Sequence, residues 1–175
     1  QLAARTNQAA RSLSAIASEV RSQYRTQPDF EDVSVNVLIR AGGVPVNVLN
    51  PNEQRILNEW NGWIVVTESP AGLRNMIDVP APRQDTAPLG MYFEIEYRGV
   101  PEAACSRLAR AKDGVGAFGP GLVAIRFRSG GEPNITITGV NFDANGRLTV
   151  TPDQAAAACS VVNPKPINII FTLAR

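Results

Sequence analysis

Apolar and polar positions follow two different periods along this chain. Over residues 1–25, Leu2, Ala9, Leu13, Ile16, Val20 and Tyr24 fall within one arc of about 80° at helical spacing. That predicts an amphipathic helix, ended by Pro28. The opposite face is basic, with Arg11, Arg21 and Arg25, and Glu19 is the only acid in the segment. Two readings stand side by side. One is a solvated helix packed on a core by a single stripe. The other is a helix whose second face meets other subunits.

From residue 63 the period becomes two. WIVVTES predicts a strand. In MYFEIEYRG, Met91, Phe93, Ile95 and Tyr97 face one way, and Tyr92, Glu94, Glu96 and Arg98 the other. LVAIRFRSG places Val123, Ile125 and Phe127 inward and Arg126 and Arg128 outward, where they can pair across strands with Glu94 and Glu96. Asn145-Gly146 between alternating runs predicts a hairpin, and INIIFTLAR predicts a last strand. Between residues 29 and 62 the pattern is broken by Gly42, Gly43, Pro45 and Pro51. SVNVLIRAGGVP reads as a short helix or a strand and PNEQRILNEWNG as a helical turn, within a long irregular connection.

Two alanine-rich segments are set among the strands. Thr151 is a good N-cap, with Pro152 at the first helical position, Asp153 in the first turn and Gln154 completing a capping box. Ala155, Cys159 and Val162 then share a face. In PEAACSRLARA, Pro101 takes the first position, Glu102 favours the positive helix end, and Cys105 and Leu108 share a face. These are the only two cysteines. They fit one disulfide in an oxidising compartment, and the rival reading is two buried unpaired thiols. A bond between them would close a loop of roughly 55 residues and restrict the unfolded chain by about 4 kcal/mol.

Composition then narrows the chemistry. The 175 residues suit one compact domain, and 44% hydrophobic against 19% charged residues is a globular balance. A net charge of +1 gives no global pull toward nucleic acid or an anionic membrane, although a local patch of Arg126, Arg128 and Arg147 stays open. No apolar run reaches the roughly 18 residues of a membrane span. Histidine is absent, which removes Ser-His-Asp and Cys-His catalysis and His-ligated zinc. No metal site, cofactor site or convergent catalytic set is expected. GVGAFGPG lacks the lysine of a phosphate loop and reads as a flexible connection. Asn134-Ile135-Thr136 is a glycosylation sequon by pattern only. Trp60 and Trp63 read as core or turn cover, with stacking on a sugar or base as the alternative. Asp29, Glu31 and Asp32 read as a solvated acidic turn, without the spacing of a calcium loop.

Taken in order, the long helix, LIRAGGVP, NEWNGWIVV, YFEIEYRGVPEAACSRLARA, the predicted hairpin, TPDQAAAACS and the strand NIIFTLAR resemble the type IVb pilins. That group includes the toxin-coregulated and bundle-forming pilins and the pilins of conjugation-related pili. The resemblance spans nearly all of residues 1–175, and VPEAAC and TPDQAAAAC are its most specific parts. WNGW departs from the W-G-G more usual there. The resemblance implies an α+β pilin fold: a long amphipathic helix on an antiparallel sheet, with short extra helices and one disulfide. Cys105 and Cys159 would form that disulfide, bracketing an exposed region over 106–158. The whole chain would be one globular domain. Residues 1–25 would be the C-terminal half of the long helix, 29–62 the connection, and 63–175 the sheet and disulfide-bounded region.

Further expectations rest on the same resemblance. The chain starts at Gln1 without an initiator Met or signal-peptide core, and reads as a soluble head lacking a membrane-inserted N-terminal half. The full-length form would be anchored in the inner membrane, cut by a prepilin peptidase and handed to the pilus assembly machinery. The stripe Leu2, Ala9, Leu13, Ile16, Val20 and Tyr24 would pack on the head's own sheet, and Arg11, Arg21 and Arg25 would meet neighbouring subunits. The expected function is that of a non-enzymatic major pilin, self-assembling into extracellular filaments for adhesion, aggregation or mating contact. A host or recipient-cell receptor is an expected partner and specific nucleic acid is not. A minor pilin or tip adhesin is the alternative. It would usually add a larger C-terminal module, and this chain ends soon after its last strand. A secreted enzyme on an α+β scaffold is a third reading without a catalytic set to support it.

Overall fold

The computed structural model describes residues 1–44, 49–50, 55–69, 91–110, 121–128, 135–137, 148–162 and 165–175. Helix α1 runs Leu2–Gln23, about 33 Å of rod. Its sequence is rich in alanine and straight-chain residues, and the backbone leaves helical geometry at Tyr24, before Pro28. Ala9, Leu13, Ile16, Ala17 and Val20 are fully or almost fully buried, Tyr24 is buried, and Leu2 packs partly buried at the rim of the same core. Thr6 and Ser12 are buried with them; the Thr6 hydroxyl donates to the Leu2 carbonyl.

The connection that follows is more regular than its sequence pattern suggests. SVNVLIR resolves as helix α2, Val35–Arg40, with the Ser34 hydroxyl accepting from the Val37 N–H as N-cap. The helical turn expected in PNEQRILNEWNG is instead a β-hairpin, with strands β2 (Arg55–Leu57) and β3 (Trp63–Glu68). The Asn58 side chain organises its turn. Its Oδ1 accepts from the N–H of Trp60 and of Gly62, and its Nδ2 donates 2.6 Å to the Arg98 carbonyl. Gly62 is required here, because a Cβ would sit 1.8 Å from the Arg98 carbonyl oxygen. A two-residue strand β1, Leu49–Asn50, pairs with β2.

Strand β4 is Phe93–Val100 and leads through Pro101 into helix α3, Glu102–Leu108. Pro101 is the N-cap, one position earlier than its sequence pattern predicts. Strands β5 (Leu122–Arg128) and β6 (Ile135–Ile137) follow, then helix α4 (Pro152–Val161) and strand β7 (Ile167–Leu173). The predicted capping box on α4 is present: Thr151 Oγ1 accepts from Gln154 N, and Gln154 Oε1 accepts from Thr151 N. The predicted Asn145-Gly146 turn, Arg147, Asn134 of the sequon and residues 114–120 lie outside the described residues.

The strands form one antiparallel sheet in the order β1-β2-β3-β4-β7-β5-β6. The chain's last strand therefore sits in the middle, between β4 and β5. A central strand is buried on both faces, which is why INIIFTL is apolar at consecutive positions 169–171 and broken only by Asn168 and Thr172. Phe93, Ile95, Tyr97, Phe127, Ile169 and Phe171 line the face packed against α1. One inward position departs from the simple alternation. The register slips between Leu122 and Ala124, so Leu122 joins the main core while Val123 packs with Ala124, Tyr92 and Ala174 in a separate cluster. The extra residue of a bulge resets the side-chain parity at that point.

Candidate functional site

Three structural features position the surfaces this molecule can present: the seat of α1, the stapled helix pair and the outer face of the sheet. The seat of α1 is apolar along the stripe and pinned by polar contacts at its margins. Glu59, in the β2–β3 turn, accepts from Ser12 of α1 at 3.1 Å and from the buried Tyr97 hydroxyl at 2.6 Å. Burial first, and then the Glu59 charge, holds the Tyr97 phenol far above its ordinary range, so it stays a donor. Trp60 meets Tyr97 edge-on at 6.4 Å between ring centres. The tryptophans thus divide: Trp60 covers the core, whereas Trp63 is 38% exposed with the Arg55 guanidinium 3.6 Å from its ring centre.

The three arginines expected to meet neighbouring subunits do not behave alike. Arg11 and Arg25 are exposed. Arg21 is turned onto its own domain: Nε–H and an Nη–H both donate to the Ala174 carbonyl, at 3.0 and 2.9 Å, and its guanidinium lies 5.9 Å from the Phe93 ring centre. Burial pushes its pKa down. The reason is angular. Arg11 lies about 180° from the middle of the buried stripe, but Arg21 only about 100°, so a long side chain reaches back to the end of the central strand β7. Arg21 is therefore held by its own head, unlike Arg11 and Arg25.

Cys105 of α3 and Cys159 of α4 form the disulfide, with Cα atoms 6.0 Å apart and a sequence separation of 54. Ala104 and Leu108 on α3, and Ala155 and Ala158 on α4, are buried around it. The bond joins the helix that leaves β4 to the helix that enters β7, and those strands are neighbours, with Val100 paired to Ile167. Lys165 adds an ion pair to Glu102 at 3.6 Å and a hydrogen bond to the Cys159 carbonyl. The segment 106–158 thus leaves and returns at one stapled point of the sheet.

On the outer face, Glu94 pairs with Arg126 and Glu96 with Arg128, the second at 2.8 Å. The expected pairing of these residues occurs, but β7 lies between their strands. Glu94 is opposite Thr172, and Arg126 is opposite Ile170, so each arginine leans diagonally across the central strand to its carboxylate. Glu96 also takes Arg98 at 3.3 Å. Burial lifts the Glu94 pKa, an effect that Arg126 and the Ser69 hydroxyl only partly offset. No signal in the linear sequence could place β7 under these pairs. Among the described residues, no group of three or more His, Cys, Asp or Glu side chains is arranged to hold a metal ion, and no helix is long and apolar enough to cross a membrane.

A helix laid on an antiparallel sheet, a central C-terminal strand and a disulfide across the two flanking helices together describe a pilin head. The Bundlin family model matches residues 3–173. The chain belongs to the Bundlin family, which is a family of type IVb pilins. The solved structure of TcpA, a type IV pilin from Vibrio cholerae El Tor biotype, shares the fold with a TM-score of 0.57 at 13% identity. The alignment covers 97% of this chain and 99% of that one. Among curated proteins no sequence match was found. Pilins of this family are structural subunits that assemble into extracellular pilus filaments, and they are not enzymes.

Proposed function

We propose that this chain is the major, shaft-forming subunit of a type IVb pilus. The observation that carries the reading is the half-covered α1. One stripe is sealed against the head, while Ala3, Ala4, Arg5, Asn7, Arg11, Ala15, Ser18, Ser22 and Gln23 are exposed along the rest of the rod, with Arg25 exposed just past its end. A face of small side chains with a few cations suits close packing against other helices, with charge to fix register. In the full-length form the rod would continue into an inner-membrane anchor, released by a prepilin peptidase and the assembly machinery. The stapled region 106–158 would be displayed for adhesion, aggregation or mating contact, with a host or recipient-cell receptor as partner. The disulfide supports such exposure, because it limits local opening under shear and protease attack.

Immunogold electron microscopy on producing cells tests the role. Gold along filament shafts is expected; gold at tips alone would make the chain a minor pilin or tip adhesin. A charge reversal separates the arginines. Arg11→Glu is expected to lower pilus yield while leaving the melting temperature of the head within about 1 °C, a surface effect. Normal piliation by Arg11→Glu would remove that residue from the subunit contact.

A further inference from the structure

The turn between β2 and β3 contains a chemically labile pair, Asn61 followed by Gly62. In such a pair the glycine nitrogen is unhindered, because no side chain stands beside it. It can attack the asparagine side chain and close a five-membered imide. The fold leaves this pair open to solvent but holds its reacting atoms. Asn61 is exposed, with φ at 61°, in the left-handed region that asparagine tolerates. The Gly62 N–H donates to Asn58 Oδ1 at 3.0 Å, and the Trp60 N–H donates to the same oxygen at 2.9 Å. Asn58 is buried, with Nδ2 on the Arg98 carbonyl and its own N–H on the Gly62 carbonyl at 2.9 Å.

To react, the Gly62 nitrogen has to give up the proton that Asn58 holds and swing toward the Asn61 side chain. It has no slack on the side of β4, where a Cβ on Gly62 would meet the Arg98 carbonyl oxygen at 1.8 Å. The rest of the turn is fastened as well. Glu59 accepts from Ser12 of α1 and from Tyr97 of β4, and Trp60 packs against the core. The swing therefore breaks several hydrogen bonds together and needs a local opening of the turn.

We propose that Asn61-Gly62 is a latent site of isoaspartate formation, held unreactive by Asn58 and released only when the turn leaves β4 and α1. In the released turn the Gly62 nitrogen bonds to Asn61 Cγ and the Cγ–Nδ2 bond breaks. The Gly62 proton leaves with the amide nitrogen as ammonia. Water then opens the imide at either carbonyl, giving isoaspartate or aspartate, and no other reactant is needed. Isoaspartate lengthens the backbone of the turn by one methylene. Gly62 then no longer fits against the Arg98 carbonyl, and Glu59 loses its register with Ser12 and Tyr97. The modification would thus loosen the polar pin of α1. This proposal stands on the turn alone and does not depend on the filament reading.

The test is to age the purified chain in mildly alkaline buffer and follow residue 61 by peptide mapping, beside a synthetic peptide of residues 55–65. Trypsin cuts after Arg55 and Arg74, so Asn61 is read apart from the second such pair, Asn145-Gly146. Isoaspartate at residue 61 is expected to form at least about tenfold more slowly in the folded chain than in the peptide. Asn58→Ala frees the Gly62 N–H and is expected to speed the reaction in the folded chain at least about threefold. Conversion of the unaltered chain at the peptide rate overturns the proposal. So does a folded Asn58→Ala chain that converts no faster than the unaltered one. Should Asn58→Ala fail to fold, hydrogen exchange of the unaltered chain decides. The Gly62 N–H is expected to exchange at least about tenfold more slowly than in the peptide, and exchange at the peptide rate overturns the proposal.

Discussion

The two faces of the sheet exclude water by opposite means. Toward α1, Phe93, Ile95 and Tyr97 of β4 are fully buried among apolar neighbours, with Phe93 4.8 Å from the Phe30 ring. Toward the other side, Glu94 and Glu96 of the same strand reach across β7 to Arg126 and Arg128, and the β7 residues between them, Ile170 and Thr172, are 2% and 0% exposed. One face is closed by packed hydrocarbon and the other by ion pairs lying over the central strand. Hydrocarbon packing stabilises through area removed from water. A largely buried ion pair recovers only part of its desolvation cost. Stability should therefore reside on the inner face, and the outer face should contribute mainly charge geometry.

The sharpest way to break this contrast is substitution at adjacent positions of β4. Phe93→Ala should cost about 3–5 kcal/mol in denaturant unfolding, since it opens a cavity between α1 and Phe30. A loss below about 1 kcal/mol would show that the inner face is not the main source of stability. Next in size is the staple between the faces' common end helices. Cys105→Ala/Cys159→Ala should cost about 4 kcal/mol in the same measurement, and a negligible loss would mean that the segment 106–158 is held by packing alone.

On the outer face the effects should be smaller and non-additive. Glu94→Leu alone should cost about 1–3 kcal/mol by stranding the Arg126 guanidinium. Glu94→Leu with Arg126→Met should cost less than either single change, since both charges are gone; simple additivity in this cycle would contradict the view of the pair as a lid. The smallest effect concerns pH. Burial raises the Glu94 pKa above its unfolded value, so the folded chain binds that proton first as pH falls. The stability contribution of Glu94 therefore rises as pH drops from neutral through its raised folded-state pKa and is least at neutral pH. Melting temperature should respond more favourably to that change in the unaltered chain than in Glu94→Gln; identical pH profiles would count against the shift.

Local elements were legible because their causes are local. The stripe of α1 was visible at helical spacing, and its positions are the ones found against the core. The capping box at Thr151 needs only four consecutive residues, and alternation in FEIEY reports which side chains share a face. Cys105 and Cys159 were visible as residues on buried stripes, and their resemblance to the pilin helices implied the bond that joins them. The helix reading of NEWNG failed because the deciding contacts are tertiary: Asn58 and Gly62 are shaped by the Arg98 carbonyl, 40 residues away from Asn58.

What the sequence determined by itself was period, caps, candidate partners and, through its motifs, family. What only the tertiary structure decided was neighbourhood. β7 enters the sheet between β4 and β5, so the pairs of Glu94 and Glu96 with Arg126 and Arg128 became bridges over a third strand. Arg21, on the flank of α1, found the Ala174 carbonyl within reach and became part of the head. Hydrophobic periodicity encodes which face of an element is buried, but not which element covers it. Strand order and the reach of a long side chain depend on where the rest of the chain comes to lie.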